Sequence, residues 1–310
     1  MVGDHLCYMR GAEPKKSSGK FIIFDFEATQ DEVSQSDQGY ICKPKEDCHD
    51  CMEDLTCSTC RKCKNCKSWY CGLKQHLPNM VVALSSCDLC KEDDTHCESC
   101  GIKCTSHDEK ENCPDCFKRE VIFSGFDTVD KFGKWLFRKG HKGATCIGHN
   151  GRGYDYMFIQ NYLLNNGIFP EITWAGTKIM YMHVYNSLDI RFVDSLSFLP
   201  MALSKLPKTL GLSANLKKGD FPHKFNTRSN FNQRYFPKYP PVQYYGEGLD
   251  LEWYKSLTGS YDMHADMLSY CKNDVRILNE ACLKFRSLIQ EVTSVETEDG
   301  IQNVDPFCQV

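Results

Sequence analysis

Four carboxylates and one tyrosine are the residues of this chain whose types and spacing suggest chemistry. Asp25 and Glu27 directly follow a run of bulky residues at 21–24 and are separated only by Phe26. Successive side chains of a strand point to opposite faces, so both carboxylates lie on one face and Phe26 on the other. Two neighbouring buried carboxylates repel each other and are costly without a cation. The pair therefore predicts a divalent metal site; the alternative is a strand that runs out into an acidic surface turn.

Three residues far along the chain extend this group. Asp155 follows a glycine-punctuated segment, residues 148–153, and begins a predicted helix, whose N-terminus favours a negative charge. Taken alone, Asp155 is equally consistent with an ordinary helix cap. Tyr270 and Asp274 are four residues apart on a long predicted helix and therefore share a face. Oxygen ligands of this kind suit Mg²⁺, and the whole set fits a two-metal phosphoryl-transfer site.

Each member of the set has an expected role. Two metal ions can activate a water and stabilise the leaving 3′ oxygen of a nucleic acid. We expect Asp25 to bridge both ions, Glu27 and Asp274 to hold the ion that carries the water, Tyr270 to orient that water, and Asp155 to complete the shell of the second ion.

A cysteine-rich segment supplies a chemically different set of metal ligands. Fifteen of the 20 cysteines lie between Cys42 and Cys116, many of them in pairs separated by two residues. Two such pairs complete a tetrahedron with no open position, so we expect structural Zn²⁺ in an insertion, residues 42–116, at the edge of the sheet. The alternative is an unmetallated or disulfide-linked segment, and the number and pairing of sites stay open. The most economical ligand set is Cys87, Cys90, Cys97 and Cys100, and the further candidates are Cys48, Cys51, Cys57, Cys60, Cys63, Cys66, Cys113 and Cys116.

Composition limits the class of protein. The chain has 310 residues and a net charge of −4, so no overall basic charge indicates nucleic acid, although a local patch can exist. No apolar run approaches the ~18 residues that span a membrane, and the N-terminus lacks a secretory apolar region. We expect an intracellular protein, nuclear or cytoplasmic, with reduced thiols.

The elements that must position these residues follow from hydrophobic periodicity. Apolar runs predict strands, and a stripe at steps of three and four predicts the last helix. The expected class is α/β, a mixed sheet flanked by helices, with a polar lead-in at 1–20 and a loose tail at 291–310. The predicted strands are 21–26, 80–84, 121–123, 144–147, and a hairpin of 178–184 with 188–193; the predicted helices begin at Asp127 or Thr128 and at Asp155, and span 203–212 and 263–289.

One segment concentrates positive charge. Residues 216–228 include Lys217, Lys218, His223 and other basic residues, and Phe221 is interleaved among them. Basic groups bind phosphates and aromatic rings stack on bases, so this segment is the best candidate for a nucleic-acid surface. The alternative is a solvated loop.

Three motifs in order resemble the proofreading exonuclease of family-B DNA polymerases. The stretch F-D-F-E-A-T around Asp25 looks like its first motif, and Y-C-K-N-D, from Tyr270 to Asp274, looks like its third. The stretch H-N-G-R-G-Y-D looks like its second motif, with Asn150 and Asp155 at the matching places. Tyr154 stands where that motif usually has Phe.

Two further stretches resemble the protein-primed branch of that family. Ser195-Leu196 looks like its single-strand-binding motif, and Lys218-Gly219-Asp220-Phe221 looks like the motif whose lysine assists the exonuclease step. The resemblance covers about residues 20–290 and is particularly close to polymerases of Maverick (Polinton) mobile elements and related viruses, within the organellar and viral type B polymerases. It implies that Asn150, Ser195, Leu196 and Lys218 contact the DNA 3′ end; Phe221 is a further DNA-binding candidate because it is an aromatic residue of the basic segment.

The resemblance implies a fold, an activity and partners. The fold is ribonuclease H-like, and the activity is Mg²⁺- or Mn²⁺-dependent 3′→5′ hydrolysis of single-stranded DNA ends. The motifs that carry the polymerase palm are missing from this sequence, so we expect no primer extension from this chain alone. A polymerase half and a terminal protein are further implied partners. Two alternatives stay open: a zinc-stabilised nucleic-acid-binding module with a vestigial nuclease site, and a stand-alone nuclease that acts on RNA.

Overall fold

A computed structural model describes residues 19–33, 74–87, 120–213, 215–297 and 300–308. The lead-in expected at residues 1–18 lies outside this part of the chain. So do all the predicted zinc ligands except Cys87, whose backbone ends a strand. Among the described helices, none combines the length and the apolar character needed to cross a membrane.

A seven-stranded mixed sheet forms the centre of the fold. Its strand order is β3-β2-β1-β4-β7-β6-β5. Strands β1, β4 and β7 pair in parallel, and every other neighbouring pair is antiparallel. The predicted α/β class with a mixed sheet is confirmed. The strands are β1 (Lys20–Val33), β2 (Lys74–Cys87), β3 (Glu120–Ser124), β4 (Thr145–Gly148), β5 (Glu171–Ala175), β6 (Lys178–Val184) and β7 (Ile190–Asp194).

Helices cover both faces of this sheet, and two short strand pairs lie outside it. The helices are α1 (Thr128–Leu136), α2 (Asp155–Asn165), α3 (Leu206–Leu210), α4 (Arg228–Gln233), α5 (Leu251–Ser256) and α6 (Met263–Val292). The strand pairs are β8 (Tyr235–Phe236) with β9 (Tyr261–Asp262), and β10 (Val295–Thr297) with β11 (Gly300–Gln302).

Strand β1 divides the interior into two cores. Its side chains alternate, as the pleat of a strand requires: Phe21 and Ile23 pack on the face covered by α6, while Phe24 and Phe26 pack on the face covered by α1 and α2. Asp25 and Glu27 continue the first series, which places both carboxylates on the α6 side.

Helix α6 begins at a side-chain cap and presents a continuous apolar stripe. The carboxylate of Asp262 accepts hydrogen bonds from the backbone N–H groups of His264 and Ala265, which satisfies donors at the helix start. Cys271 and Leu278 are among the buried residues of the stripe. The helix was predicted to end at residue 289 and ends one turn later.

The predicted loose tail is wrong for the described residues 300–308. Phe307 is buried and its ring lies 6.1 Å from that of Phe21. The carboxylate of Asp305 accepts a hydrogen bond of 2.8 Å from Nε of Arg286, a side chain that is also buried. An apolar anchor and a buried ion pair therefore fix this segment to α6.

The antiparallel pair of β1 and β2 divides the cysteine-rich insertion into two segments of the chain, residues 34–73 and 88–119. In the antiparallel pairing of β1 with β2, Val33 lies opposite Lys74 at one end and Lys20 lies opposite Cys87 at the other. Residues 34–73 connect the strands at the first end, and residues 88–119 leave from the second.

Candidate active site

The first carboxylate pair lies within β1, not at its end. The strand runs on from Glu27 to Val33, and its register against β2 shifts between Glu27 and Ala28. Glu27 is buried, whereas Asp25 is partly buried. One ligand atom each of Asp25, Glu27 and Cys271 lie within 4.8 Å of one another. This spacing is short enough for a shared metal ion.

Asp155 reaches this pair from the start of α2. Strand β4 pairs with β1 only as far as Ile23, opposite Ile147. Beyond that point the backbone N–H of Phe26 donates to Oδ1 of Asp155, at 3.2 Å. The carboxylate is 2% exposed. The Asp155 carboxylate therefore accepts a hydrogen bond that a carbonyl of β4 would accept if the strand continued. This bond holds Asp155 beside Asp25.

The glycine loop that leads to Asp155 is held by Asp194, at the end of β7. Asn150 occupies the left-handed region with φ 63°. The buried carboxylate of Asp194 accepts hydrogen bonds from the backbone N–H groups of Asn150 at 3.0 Å, Arg152 at 2.9 Å and Leu196 at 2.9 Å. The side chain of Asp194 therefore joins the H-N-G-R-G-Y-D motif to the Ser195-Leu196 stretch.

The third motif faces the pair from α6. Tyr270 and Asp274 are both buried. Oδ2 of Asp274 contacts Nζ of Lys218, whereas its Oδ1 is buried and has no hydrogen-bond partner within the described part of the chain. An acceptor oxygen without a donor has free capacity for a ligand.

The segment before α4 places two basic side chains over the site. Nζ of Lys218 lies 4.6 Å from the centre of the Tyr270 ring. Nδ1 of His223 lies 3.6 Å from Oε2 of Glu27, and its ring meets the Tyr270 ring edge to face at 5.2 Å. Lys218 and His223 therefore approach the carboxylates from the solvent side.

The electrostatics of the site indicate an excess of negative charge. Desolvation, followed by the charges of Asp155, Glu27 and Asp274, raises the pKa of Asp25 well above its ordinary value. Desolvation likewise raises the pKa of Asp155 to about 7, although the Phe26 N–H opposes the shift. The pKa of Asp274 is raised by desolvation, against the lowering effect of Lys218. One lysine does not balance four carboxylates.

These residues fit divalent metal ions. Carboxylate oxygens are the ligands that Mg²⁺ and Mn²⁺ prefer, and a bound cation would favour the ionised forms that the fold alone disfavours. The free Oδ1 of Asp274 adds an unused acceptor. Asp25, Glu27, Asp155 and Asp274 are the residues that would hold the ions. The four predicted carboxylates, Tyr270 and Lys218 lie together.

The residues expected to contact DNA divide into two groups. Asn150 is exposed and Leu196 is partly exposed, so both remain candidates. Ser195 is fully buried, and its hydroxyl donates to the carbonyl of Gly148 at 2.9 Å. Phe221 is 2% exposed and packs beside the Tyr270 ring, at 5.4 Å between ring centres. The expectation that Phe221 stacks on a base is therefore wrong, because its ring already supports Tyr270.

Sequence reasoning missed three members of this site. They are Asp194 and Cys271, which the motifs do not single out, and His223, which is predicted only as part of the basic segment. Cys271 directly follows the motif tyrosine, which was the available signal for its position. Nothing local in the sequence indicates that His223 approaches Glu27, because residues 27 and 223 meet only in the folded chain.

The second half of the chain matches a known protein family. The family model for DNA polymerase type B, organellar and viral, matches residues 139–300, slightly more than half of the chain. A probable DNA polymerase of Agaricus bitorquis is 28% identical over 160 residues, 48% of this chain and 20% of that protein. A DNA polymerase of Kluyveromyces lactis is 22% identical over 168 residues, 50% of this chain and 17% of that protein. The chain therefore spans about a fifth of the length of these curated relatives.

Two solved structures cover more of the chain at lower similarity. Phi29 DNA polymerase complexed with single-stranded DNA gives a TM-score of 0.43 at 15% identity, over 87% of this chain and 31% of that one. The family B DNA polymerase of the archaeon Pyrobaculum calidifontis gives 0.39 at 12% identity, over 90% of this chain and 27% of that one.

Proposed function

The chain belongs to the organellar and viral family of type B DNA polymerases, and we propose that residues 21–290 form its ribonuclease H-like 3′→5′ exonuclease domain. The proposed reaction is Mg²⁺- or Mn²⁺-dependent removal of nucleotides from single-stranded DNA ends, the proofreading step of such a polymerase. One observation carries the proposal: the first carboxylate pair, Asp155 and the Tyr270–Asp274 pair come from three distant parts of the chain and lie together around Lys218.

The chemistry divides between metal ions and protein groups. Bound divalent ions would supply an activated water and stabilise the leaving 3′ oxygen. Asp25, Glu27, Asp155 and Asp274 would hold the ions. Lys218 offsets the charge of Asp274, which its Nζ contacts, and is placed to bind a phosphate oxygen.

Tyr270 acts in this proposal as a hydrogen-bond donor and not as a base. Burial, followed by the charges of Asp274, Glu27 and Asp25, raises the pKa of its hydroxyl far above the ordinary value. A phenol held protonated by its surroundings can orient the attacking water but cannot take its proton at neutral pH. Phe221 and His223 support the ring on two sides.

Exposed basic side chains at the site offer an electrostatic route for a DNA strand. The carboxylates lie inside, and the exposed Lys217, Lys224 and Arg228 lie on the segment that covers them. Basic groups outside and metal-binding acids inside suit a polyanion whose scissile phosphate meets metal ions. The exposed Asn150 and the partly exposed Leu196 lie on neighbouring loops joined through Asp194.

The decisive experiment is digestion of a 5′-labelled single-stranded oligonucleotide with Mg²⁺. We expect wild-type protein to give a 3′→5′ ladder. The Asp25→Ala/Glu27→Ala double variant should cut more slowly by on the order of a thousandfold or more, because metal catalysis is worth several kcal/mol. Asp266→Asn is a matched control, since it neutralises another acidic side chain near the start of α6.

The outcomes separate the competing functions. An unchanged ladder in the double variant would place the activity elsewhere. Binding of DNA without cleavage by folded wild-type protein would favour the nucleic-acid-binding module with a vestigial site. Faster cleavage of a matched RNA oligonucleotide would favour the RNA nuclease.

Structural zinc in the cysteine-rich segments is a separate part of the proposal. It depends on the spacing of the cysteine pairs, which lie outside the described residues. Elemental analysis of the purified protein should find at least one Zn²⁺ per chain that survives dialysis, and a metal-free preparation with full stability would refute it.

A further inference from the structure

The thiol of Cys271 lies against the first carboxylate pair. Its Sγ lies 3.4 Å from the backbone oxygen of Asp25 and 3.9 Å from Oδ2 of the same residue. A carboxylate oxygen of Glu27 belongs to the same cluster, within 4.8 Å. Cys271 is fully buried. Two hard oxygen ligands and one soft sulfur ligand therefore line the same space.

A second observation indicates room for a ligand at this point. Asp274 follows Cys271 by three residues on α6, and its buried Oδ1 has no hydrogen-bond partner in the described chain. The negative charges of Asp25, Glu27 and Asp274 all act on the Cys271 thiol. A cation placed here would meet the carboxylates of Asp25 and Glu27 and the sulfur of Cys271, with Asp274 available as a fourth ligand.

The sulfur changes which metals such a site prefers. Mg²⁺ takes oxygen ligands in a strict octahedron and does not favour thiolate. Zn²⁺ and Co²⁺ accept mixed oxygen and sulfur ligands, and Zn²⁺ is usually four-coordinate. On ligation the S–H bond is replaced by an S–metal bond and the proton goes to solvent.

We propose that Asp25, Glu27 and Cys271 form a site for a thiophilic divalent ion such as Zn²⁺ or Co²⁺, which competes with Mg²⁺ and inhibits the nuclease. The inhibitory part rests on the proposed exonuclease function, whereas the binding part does not. A metal held by the sulfur is drawn towards α6 and uses ligand positions that the reaction needs for water and phosphate.

Cobalt absorption tests the binding directly. Thiolate-to-Co²⁺ charge transfer gives a near-ultraviolet band that carboxylate ligands alone do not give. The chain is titrated with Co²⁺ without prior Zn²⁺ loading, because Zn²⁺ would also occupy the proposed site. We expect wild-type protein to show a band that Cys271→Ser lacks. The comparison is made as a difference spectrum, because any signal from other cysteines is common to both proteins.

Two controls make the assignment specific. Cys282→Ser removes another buried thiol of α6, one that lies outside the cluster of Asp25, Glu27 and Cys271, and it should keep the band. Asp25→Asn/Glu27→Gln removes the carboxylates and should lose it. A band of equal strength in wild type and Cys271→Ser would overturn the proposal. Circular dichroism of each variant establishes that it is folded.

Inhibition by Zn²⁺ tests the functional consequence. At fixed Mg²⁺, the Zn²⁺ concentration that halves cleavage should rise at least about tenfold in Cys271→Ser, since even outer-shell changes weaken metal sites by 10–100-fold. It should be unchanged in Cys282→Ser. A cobalt band without nuclease activity would reject the proposed function and keep the metal site. Active enzyme with equal Zn²⁺ sensitivity in wild type and Cys271→Ser would reject the inhibition.

Discussion

Replacing Asp155 by Asn should stabilise the metal-free protein. Burial raises the pKa of Asp155 from 3.8 to about 7. One pKa unit corresponds to about 1.4 kcal/mol, so the raised pKa destabilises the folded state by about 4 kcal/mol at pH 8 and by about 2 kcal/mol at pH 5.5. Asn has no charge to desolvate, and its Oδ1 can still accept the hydrogen bond from Phe26. The variant should therefore gain about 2 kcal/mol more over wild type at pH 8 than at pH 5.5.

The direction of the pH dependence follows from the raised pKa. A carboxyl that the fold prefers to keep protonated stabilises the native state below its unfolded pKa, and this contribution is lost as the pH rises towards 7. Removing Asp155 also relieves Asp25, whose pKa it helps to raise. The effect on Asp25 has the same sign, so it adds to the difference of about 2 kcal/mol between the stabilisation at pH 8 and that at pH 5.5.

The assay is urea unfolding of both proteins at the two pH values, without Mg²⁺ and at saturating Mg²⁺. An ion at 100 times its Kd stabilises by about 2.7 kcal/mol, and only the protein with intact ligands gains it. Mg²⁺ should therefore reduce or reverse the advantage of the variant at pH 8.

The matched control for this experiment is Asp266→Asn. Burial raises the pKa of Asp266 to about 6, and its partner is the hydroxyl of Tyr261, outside the carboxylate group. Its effect on stability should vary with pH but should not respond to Mg²⁺. Equal stabilisation of Asp155→Asn and wild type by Mg²⁺, or no pH dependence in their difference, would refute the reasoning.

Three further predictions concern other parts of the fold. Asp305→Asn removes the charged acceptor of Nε of the buried Arg286 and should lower the free energy of unfolding by about 1–3 kcal/mol in a urea titration, whereas a loose tail would give no change. Gly133→Ala should cost about 1–3 kcal/mol, because the new Cβ would lie 2.4 Å from the ring of Tyr162; a neutral effect in thermal unfolding would contradict this packing. Lys218→Ala should raise the pKa of the carboxylate that it contacts and shift the rise of the pH–rate profile to higher pH, and an unshifted profile would exclude that role.

Local periodicity predicted the elements whose own sequence determines them. The apolar run 21–24 predicted a strand, whose pleat places Asp25 and Glu27 on one face, and the stripe of α6 placed Tyr270 beside Asp274. The strand is recognisable because it is buried on both faces, and the helix because one packed face repeats its apolar residues with the helical period. The convergence of the carboxylates was predicted through motif order and not through periodicity.

Features created by tertiary contacts were not predictable in this way. Phe221 lies in a polar, basic segment, and it is buried only in the folded chain, in the core on the α6 side and beside the Tyr270 ring. Edge strand β5 was missed because nearly all of its side chains are exposed, so it has no alternation. The docking of residues 300–308 depends on Phe307 meeting Phe21, a contact between the two ends of the described chain.

The irregularity in β1 shows how one such contact positions the site. Where the register shifts after Glu27, Met80 and Pro78 of β2 have partners in β1 and Asn79 has none. An unpaired residue in a strand can turn its side chain to another task. The amide of the fully buried Asn79 donates to Oδ1 of Asn226 at 2.8 Å, eight residues after Lys218. The bulge beside Asp25 and Glu27 therefore also anchors the segment that carries Lys218.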